Sequence, residues 1–248
     1  MLVQNASYTQ AIPVYRKSLA LNDQTYAVWE QLMRLELGEN QVDQVIKDGE
    51  EVLSLFPNQA VANYLVGVAY SQKSKVKEAL SYFKNAVALG STNKELLSQV
   101  YAALGDSYHQ QKDDAQSDAA YDKSISNNPD NAYTLNNYAY YLSLRGEKLD
   151  KAAQMSRHSN ELQPDNASFE DTFAWVLFKQ KKYTEAKSWM EKAIKHNKNS
   201  AGLAEHYGDV LYFLNEPENA VKYWKSAQQL GSKSAVLERK INEKKYIE

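Results

Sequence analysis

A pattern of large and small residues returns roughly every 34 residues along this chain, and no other feature constrains the fold as tightly. One copy reads Val66-Gly67-x-x-Tyr70, followed by Ala79-x-x-x-Phe83-x-x-Ala86. The next reads Leu104-Gly105-x-x-Tyr108, with Ser117, Tyr121 and Ser124 before Pro129. A late copy reads Tyr207-Gly208-x-x-Leu211, then Ala220, Trp224 and Ala227. The small residue of the first half returns at Gly67, Gly105, Ala139, Ala174 and Gly208, at spacings of 38, 34, 35 and 34. Residues three and four apart share one face of a helix, so each copy reads as two amphipathic helices. Such a pair cannot bury its apolar side alone and must stack on its neighbours.

The reason for the alternation is packing. Antiparallel helices about 8–10 Å apart need small residues where their backbones approach, and large ones to fill the space between pairs. Glycine inside a helix costs about 1 kcal/mol against alanine. Its return at a fixed offset therefore implies a packing gain that exceeds the cost.

In period and in these residues the chain resembles the tetratricopeptide repeat. That resemblance implies an all-α fold, a right-handed α-α superhelical solenoid. Residues 1–25 form an N-terminal half repeat (second helix only, with Ala11, Tyr15, Ser18 and Leu19) or a capping helix. A half repeat leaves one helix face uncovered, so the chain also reads as a piece of a longer array. Six helix pairs follow over 26–233, at about 26–59, 60–97, 98–131, 132–166, 167–200 and 201–233, and 234–248 is a capping helix. The second pair gains four residues around Gly90-Ser91-Thr92-Asn93, which reads as a longer turn with an N-cap at Ser91 or Thr92. The fourth gains one near Arg145-Gly146-Glu147. Pro57, Pro129 and Pro164 fall between pairs, and Pro13 and Pro217 near the starts of second helices.

Composition narrows the function classes. The 29 basic and 31 acidic side chains nearly cancel, which lacks the basic excess of a nucleic-acid binder. Cysteine is absent, so no disulfide, thiolate metal site or thiol nucleophile exists. No apolar run is long enough to cross a membrane, so no membrane insertion is expected. The start, Met-Leu-Val-Gln-Asn, lacks the basic and apolar stretches of a signal peptide. The compartment stays open between the cytoplasm and an envelope or periplasmic location with a signal upstream.

No chemistry announces itself either. The histidines, His109, His158, His196 and His206, are spaced 49, 38 and 10 apart and form no ligand pair on one helix. Glycine-rich phosphate loops and hydrolase elbows are missing. Adjacent carboxylates such as Glu50-Glu51 and Asp113-Asp114 diverge on a helix and read as solvated surface. The expectation is a non-enzyme with no cofactor and no metal.

The resemblance implies a concave groove lined by the first helices. Carried over by offset, its partner-binding residues are Tyr64, Asp106, Tyr133, Asn136, Tyr140, Asp171, Trp175, Phe178, Glu205, Asp209 and Tyr212, with Val68, Gln72, Gln99, His109 and Ser168 at further offsets. Aromatics with polar tips suit recognition surfaces. Trp175 and Phe178 also read as inward packing between repeats. The carboxylate clamp of chaperone-binding members is absent: Asn137 sits at one clamp-like offset, but Ala102, Asp106, Ser168 and Thr172 occupy the others. A lysine cluster on the fifth pair (Lys179, Lys181, Lys182, Lys187, Lys192, Lys195, Lys198) reads mainly as a solvated outer face.

The runs Asn136-Asn137-Tyr138-Ala139-Tyr140-Tyr141-Leu142, Asp171-Thr172-x-Ala174-Trp175 and Glu205-His206-x-Gly208-Asp209 resemble bacterial tetratricopeptide proteins. Such arrays commonly serve envelope-associated or secreted assemblies, often as the soluble part of a lipoprotein. The reading is a protein-interaction scaffold that binds a peptide or partner segment of basic and apolar character. The alternatives are an accessory domain of a larger enzyme or a helical-repeat nucleic-acid binder, for which the groove is too acidic.

Overall fold

The computed structural model describes residues 8–248. The opening Met-Leu-Val-Gln-Asn lies outside the described residues. Fourteen α-helices and no strand account for 78% of the described residues. The chain falls into two compact units, residues up to Pro129 and residues Asp130–Glu248.

The first unit holds α1 (Tyr8–Leu21), α2 (Tyr26–Gly38), α3 (Val42–Leu55), α4 (Ala60–Gln72), α5 (Val76–Ala88), α6 (Lys94–Gln110) and α7 (Asp114–Asn127). The second holds α8 (Ala132–Arg145), α9 (Leu149–Leu162), α10 (Ala167–Lys179), α11 (Tyr183–His196), α12 (Ala201–Phe213), α13 (Pro217–Gln229) and α14 (Ala235–Glu243). Within each unit a helix packs antiparallel on the next. Alternate first helices also touch, α8 on α10 and α10 on α12.

The recurring glycines sit under the recurring aromatics. A Cβ on Gly67 would lie 2.5 Å from the Phe83 ring, one on Gly105 2.7 Å from the Tyr121 ring, and one on Gly208 2.5 Å from the Trp224 indole. Phe83, Tyr121 and Trp224 are each fully buried there. Burying a ring of this size is worth about 1.5–3 kcal/mol, which outweighs the helix cost of the glycine.

Three-residue turns join most helix pairs, and their geometry repeats. The middle residue is left-handed at Asn40, Ser74, Lys112, Lys181 and Asn215, with φ between 57° and 63°. The next residue donates its N–H to the carbonyl five residues back, as Asp113 does to Tyr108 and Lys182 to Leu177. This closes the first helix with a Schellman-type cap. The extra residue of the fourth pair is taken up by two left-handed positions, Gly146 and Lys148.

Two local expectations are corrected. The residues inserted near Gly90 mostly lengthen α6, to 17 residues, and leave five residues (89–93) between α5 and α6 where four separate α3 from α4 and α7 from α8. Asn93, not Ser91 or Thr92, caps the helix and accepts from the Leu96 N–H at 3.1 Å. Pro217 opens α13 as expected, whereas Pro13 lies inside α1 and past its first turn.

Candidate functional site

In the second unit the residues carried over by offset do come onto neighbouring first helices. Tyr133 on α8 is 60% exposed and meets Phe169 of α10 edge-on, ring centroids 5.3 Å apart. Tyr140, two turns later on α8, is half-buried. Burial, and after it the Asp171 carboxylate of α10, raises its phenol above the usual range. Asp171 accepts a hydrogen bond from His206 Nδ1 of α12 at 2.8 Å. Burial disfavours the His206 imidazolium, but Asp171, Asp209 and Glu205 outweigh it and raise its pKa overall. Tyr212, half-buried, continues α12 beside Phe213, ring centroids 5.7 Å apart.

Other predicted residues underlie this face instead of lining it. Trp175 is 7% exposed and stacked, with the His206 ring 4.2 Å and the Phe178 ring 4.8 Å away. Its indole Nε1 has no hydrogen-bond partner among the described residues. Phe178 is buried among Tyr183, Phe213 and Tyr246. Asn136 is buried too, and its Nδ2 donates to Asn137 Oδ1 at 3.3 Å.

The acidic character expected of the groove is also reduced. Lys240 of α14 donates to Glu205 at 3.0 Å and to Asp209 at 2.8 Å. Asp209 is buried and accepts a further bond from Trp224 Nε1 at 2.9 Å. Burial still holds its carboxyl above the usual range, against the opposing pull of Lys240, His206 and Trp224. Sequence reasoning missed both countercharges, His206 and Lys240. Lys240 stands 35 residues after Glu205, one repeat period, and reading α14 as the first helix of a further repeat would have found it.

In the first unit, Tyr64 on α4 is half-buried, its ring 6.1 Å from Phe83. Burial raises its phenol; Arg34 lowers it, and Asp106 and Glu95 add to the rise. Asp106 on α6 accepts from the Tyr121 hydroxyl. That bond fixes the ring that fills the space over Gly105.

One group of described residues has metal-ligand chemistry: Asp165, Glu170 and His196. Glu170 meets His196 Nδ1 at 2.8 Å, while Asp165 faces Nε2 at 3.6 Å. The two carboxylates face opposite ring nitrogens, so the imidazole lies between them. Two of the clustered lysines are engaged as well: Lys187 pairs with Glu216 at 2.7 Å and Lys192 lies over the Trp189 ring. None of the described helices is long and apolar enough to cross a membrane.

Family models of the tetratricopeptide repeat match residues 98–131, 120–154 and 172–200. Among curated proteins, the type IV pilus assembly protein PilF of Pseudomonas aeruginosa is 24% identical over 172 residues, covering 68% of this chain and 66% of that protein. The chain thus spans just under two thirds of that relative's length. Among solved structures, the Cut9–Hcn1 heterotetramer of the APC/C superposes with a TM-score of 0.83 at 12% identity, over 98% of this chain and 47% of that one. YrrB, a tetratricopeptide protein with an unusual peptide-binding site, superposes with a TM-score of 0.57 at 18% identity, over 76% of this chain and 95% of that one. These structural likenesses establish the fold. Tetratricopeptide repeats as a class mediate protein–protein interaction.

Proposed function

We propose that this chain, which carries tetratricopeptide repeats, is a non-catalytic scaffold that binds a partner segment on the first-helix face of its second unit. The observation that carries this reading is Tyr133, a large aromatic left 60% exposed at the head of a row that continues through Tyr140, Asp171, Glu205 and Tyr212. An exposed tyrosine braced edge-on by Phe169 presents contact area with little rotamer entropy to lose on binding. Trp175, Phe178, Asn136 and Asp209 hold the row from beneath, and Tyr64 and Asp106 have the corresponding offsets in the first unit.

The partner segment is of mixed apolar and basic character. Three carboxylates, Asp171, Glu205 and Asp209, face Lys240 and His206 here, so acidic groups outnumber basic ones on the face. Such an excess acts more on encounter rate and selectivity than on affinity. The similarity to PilF and the bacterial character of the repeats favour an envelope-associated assembly, with the chain periplasmic or held at a membrane by a lipoprotein anchor.

Selection of a displayed random-peptide library against the folded chain tests the binding reading. Recovered peptides should lose binding to the Tyr133→Ala/Tyr212→Ala variant and bind wild type more slowly as salt rises. Peptides that bind the variant and wild type equally would place recognition elsewhere. Fractionation of cells carrying the tagged natural gene tests the location, and a purely cytoplasmic signal would remove the envelope assignment.

A further inference from the structure

Residues 244–248 follow α14 and turn back onto the second unit. Tyr246 rests against Phe213, ring centroids 5.0 Å apart, and against Phe178 at 6.0 Å. Tyr183 completes the socket, stacked on Phe213 at 4.9 Å and an interplanar angle of 19°. Two cations flank it. Lys240 Nζ lies 5.4 Å over the Tyr246 ring, and Lys179 Nζ pairs with the Glu248 carboxylate at 2.8 Å.

The seat is made by side chains alone. Residues 245–248 make no backbone hydrogen bond among the described residues. The Glu248 side chain is 80% exposed, and an ion pair so placed holds weakly. Beneath the segment, the socket comes from the C-terminal ends of α10 and α12 and the start of α11, elements fixed by the core of the unit. The arrangement is that of a rigid aromatic socket with two lysines, filled by a loosely held stretch reading Tyr-Ile-Glu.

We propose that the socket of Phe178, Tyr183 and Phe213, flanked by Lys179 and Lys240, is a docking subsite for a protein segment with an aromatic residue followed two positions later by a carboxylate, and that residues 244–248 fill it in cis. The subsite shares Phe178 and Lys240 with the support of the Tyr133 face but uses none of that face's exposed residues, so its test is independent of that reading. The ring of a partner enters where Tyr246 sits, and its carboxylate takes Lys179. The tethered segment competes at an effective concentration on the order of millimolar. An incoming segment must therefore make additional contacts or find the tether drawn away.

The test uses a fluorescein-labelled peptide with the sequence of residues 242–248, titrated by anisotropy into the full chain and into a chain ending at Glu243. The expected result is binding to the shortened chain at least tenfold tighter than to the full chain. Phe213→Ala in the shortened chain should abolish it, as should Tyr246→Ala in the peptide, and Glu248→Lys in the peptide should weaken it a few-fold. A shortened chain with an unchanged helical spectrum and thermal midpoint that fails to bind, or binds no better than the full chain, overturns the proposal. If the shortened chain does not fold, the full chain bearing Tyr246→Ala and Glu248→Lys takes its place with the same expected gain. Loss of folding in that variant as well shows a structural cap only and also overturns it.

Discussion

Near each end of the described chain, one cation on the outermost helix serves two carboxylates on its neighbours, and the two clusters are satisfied unequally. In the first unit Arg16 of α1 meets Glu36 of α2 and Asp48 of α3. Both carboxylates are buried, Gln44 adds one bond to Asp48, and Glu36 Oε2 has no partner among the described residues. Burial, then Asp48, pushes the Glu36 carboxyl up more than Arg16 draws it down. In the second unit Lys240 of α14 meets Glu205 and Asp209 of α12. Glu205 keeps contact with water, and Asp209 gains the Trp224 indole. Burial thus raises a carboxyl in both clusters, but Asp209 is met by two donors while one oxygen of Glu36 is met by none among the described residues. Partner geometry, not charge count, makes the difference.

The largest expected effect joins packing to the second cluster. Gly208→Leu would drive Trp224 away from Asp209, and the added atoms also meet the Ala220 carbonyl, 3.0 Å from an ideal Cβ. A loss of roughly 3 kcal/mol or more is expected in denaturant unfolding. Gly105→Leu presses on the Tyr121 ring, whose hydroxyl bonds the half-buried Asp106, and should cost less, about 1–3 kcal/mol, because that carboxylate can return to water. Equal losses would show that the burial of Asp209 and the contact with the Ala220 carbonyl add nothing to the close approach.

Next come the cations themselves. Lys240→Met strands a buried Asp209, and removing one partner of such a pair costs about 3–5 kcal/mol. Arg16→Met should cost a comparable amount at pH 8 but distinctly less at pH 5, where Glu36 can accept a proton and cease to need the guanidinium. Thermal midpoints of both variants at the two pH values check this. An Arg16→Met loss that does not depend on pH would erase the distinction between the clusters.

A smaller effect isolates the held proton. The folded chain keeps a proton on Glu36 over a window above the ordinary glutamate pKa, where the unfolded chain has released its own. Stability therefore falls as pH rises through that window. His206 contributes with the same sign: its raised pKa gives stability that is fully present below its unfolded pKa and is lost as pH rises through the folded one. Glu36→Gln should flatten the decline of midpoint between pH 5 and pH 8 in part, and His206→Gln should flatten a further part. A decline unchanged by Glu36→Gln would mean the carboxyl is ionised throughout.

These clusters mark where the sequence was and was not legible. The helix pairs could be read because small and large residues meet at fixed offsets, and Gly67, Gly105 and Gly208 do lie against Phe83, Tyr121 and Trp224. The face was harder because α10 is apolar on nearly every side, with Phe173, Trp175, Leu177 and Phe178 all buried. Offset alone cannot separate a groove residue from a packing residue on such a helix. Asp209 looked open because its partner lies on α14, and Lys240 there could only be paired with it by extending the repeat period past the last full pair. Asn93 was passed over as the cap because three polar residues in a row can each serve.

The smallest prediction concerns the one device both units share equally, and so serves as a control on the comparison. Lys112 and Lys181 occupy the same left-handed turn position, at φ 61° and 63°, with the same pair of backbone bonds closing the preceding helix. A left-handed conformation costs a residue with a Cβ about 1–2 kcal/mol. Glycine removes that cost and gives back part of it through the greater freedom of the unfolded chain. Lys112→Gly and Lys181→Gly should each stabilise by roughly 0.5–1 kcal/mol. Asn215→Gly should change little, because asparagine already tolerates this region. Denaturant midpoints of the three variants decide the matter. A gain at Lys112 with a loss at Lys181 would mean that the second unit draws stability from that lysine side chain, and the turns would then differ between the units as the charge clusters do.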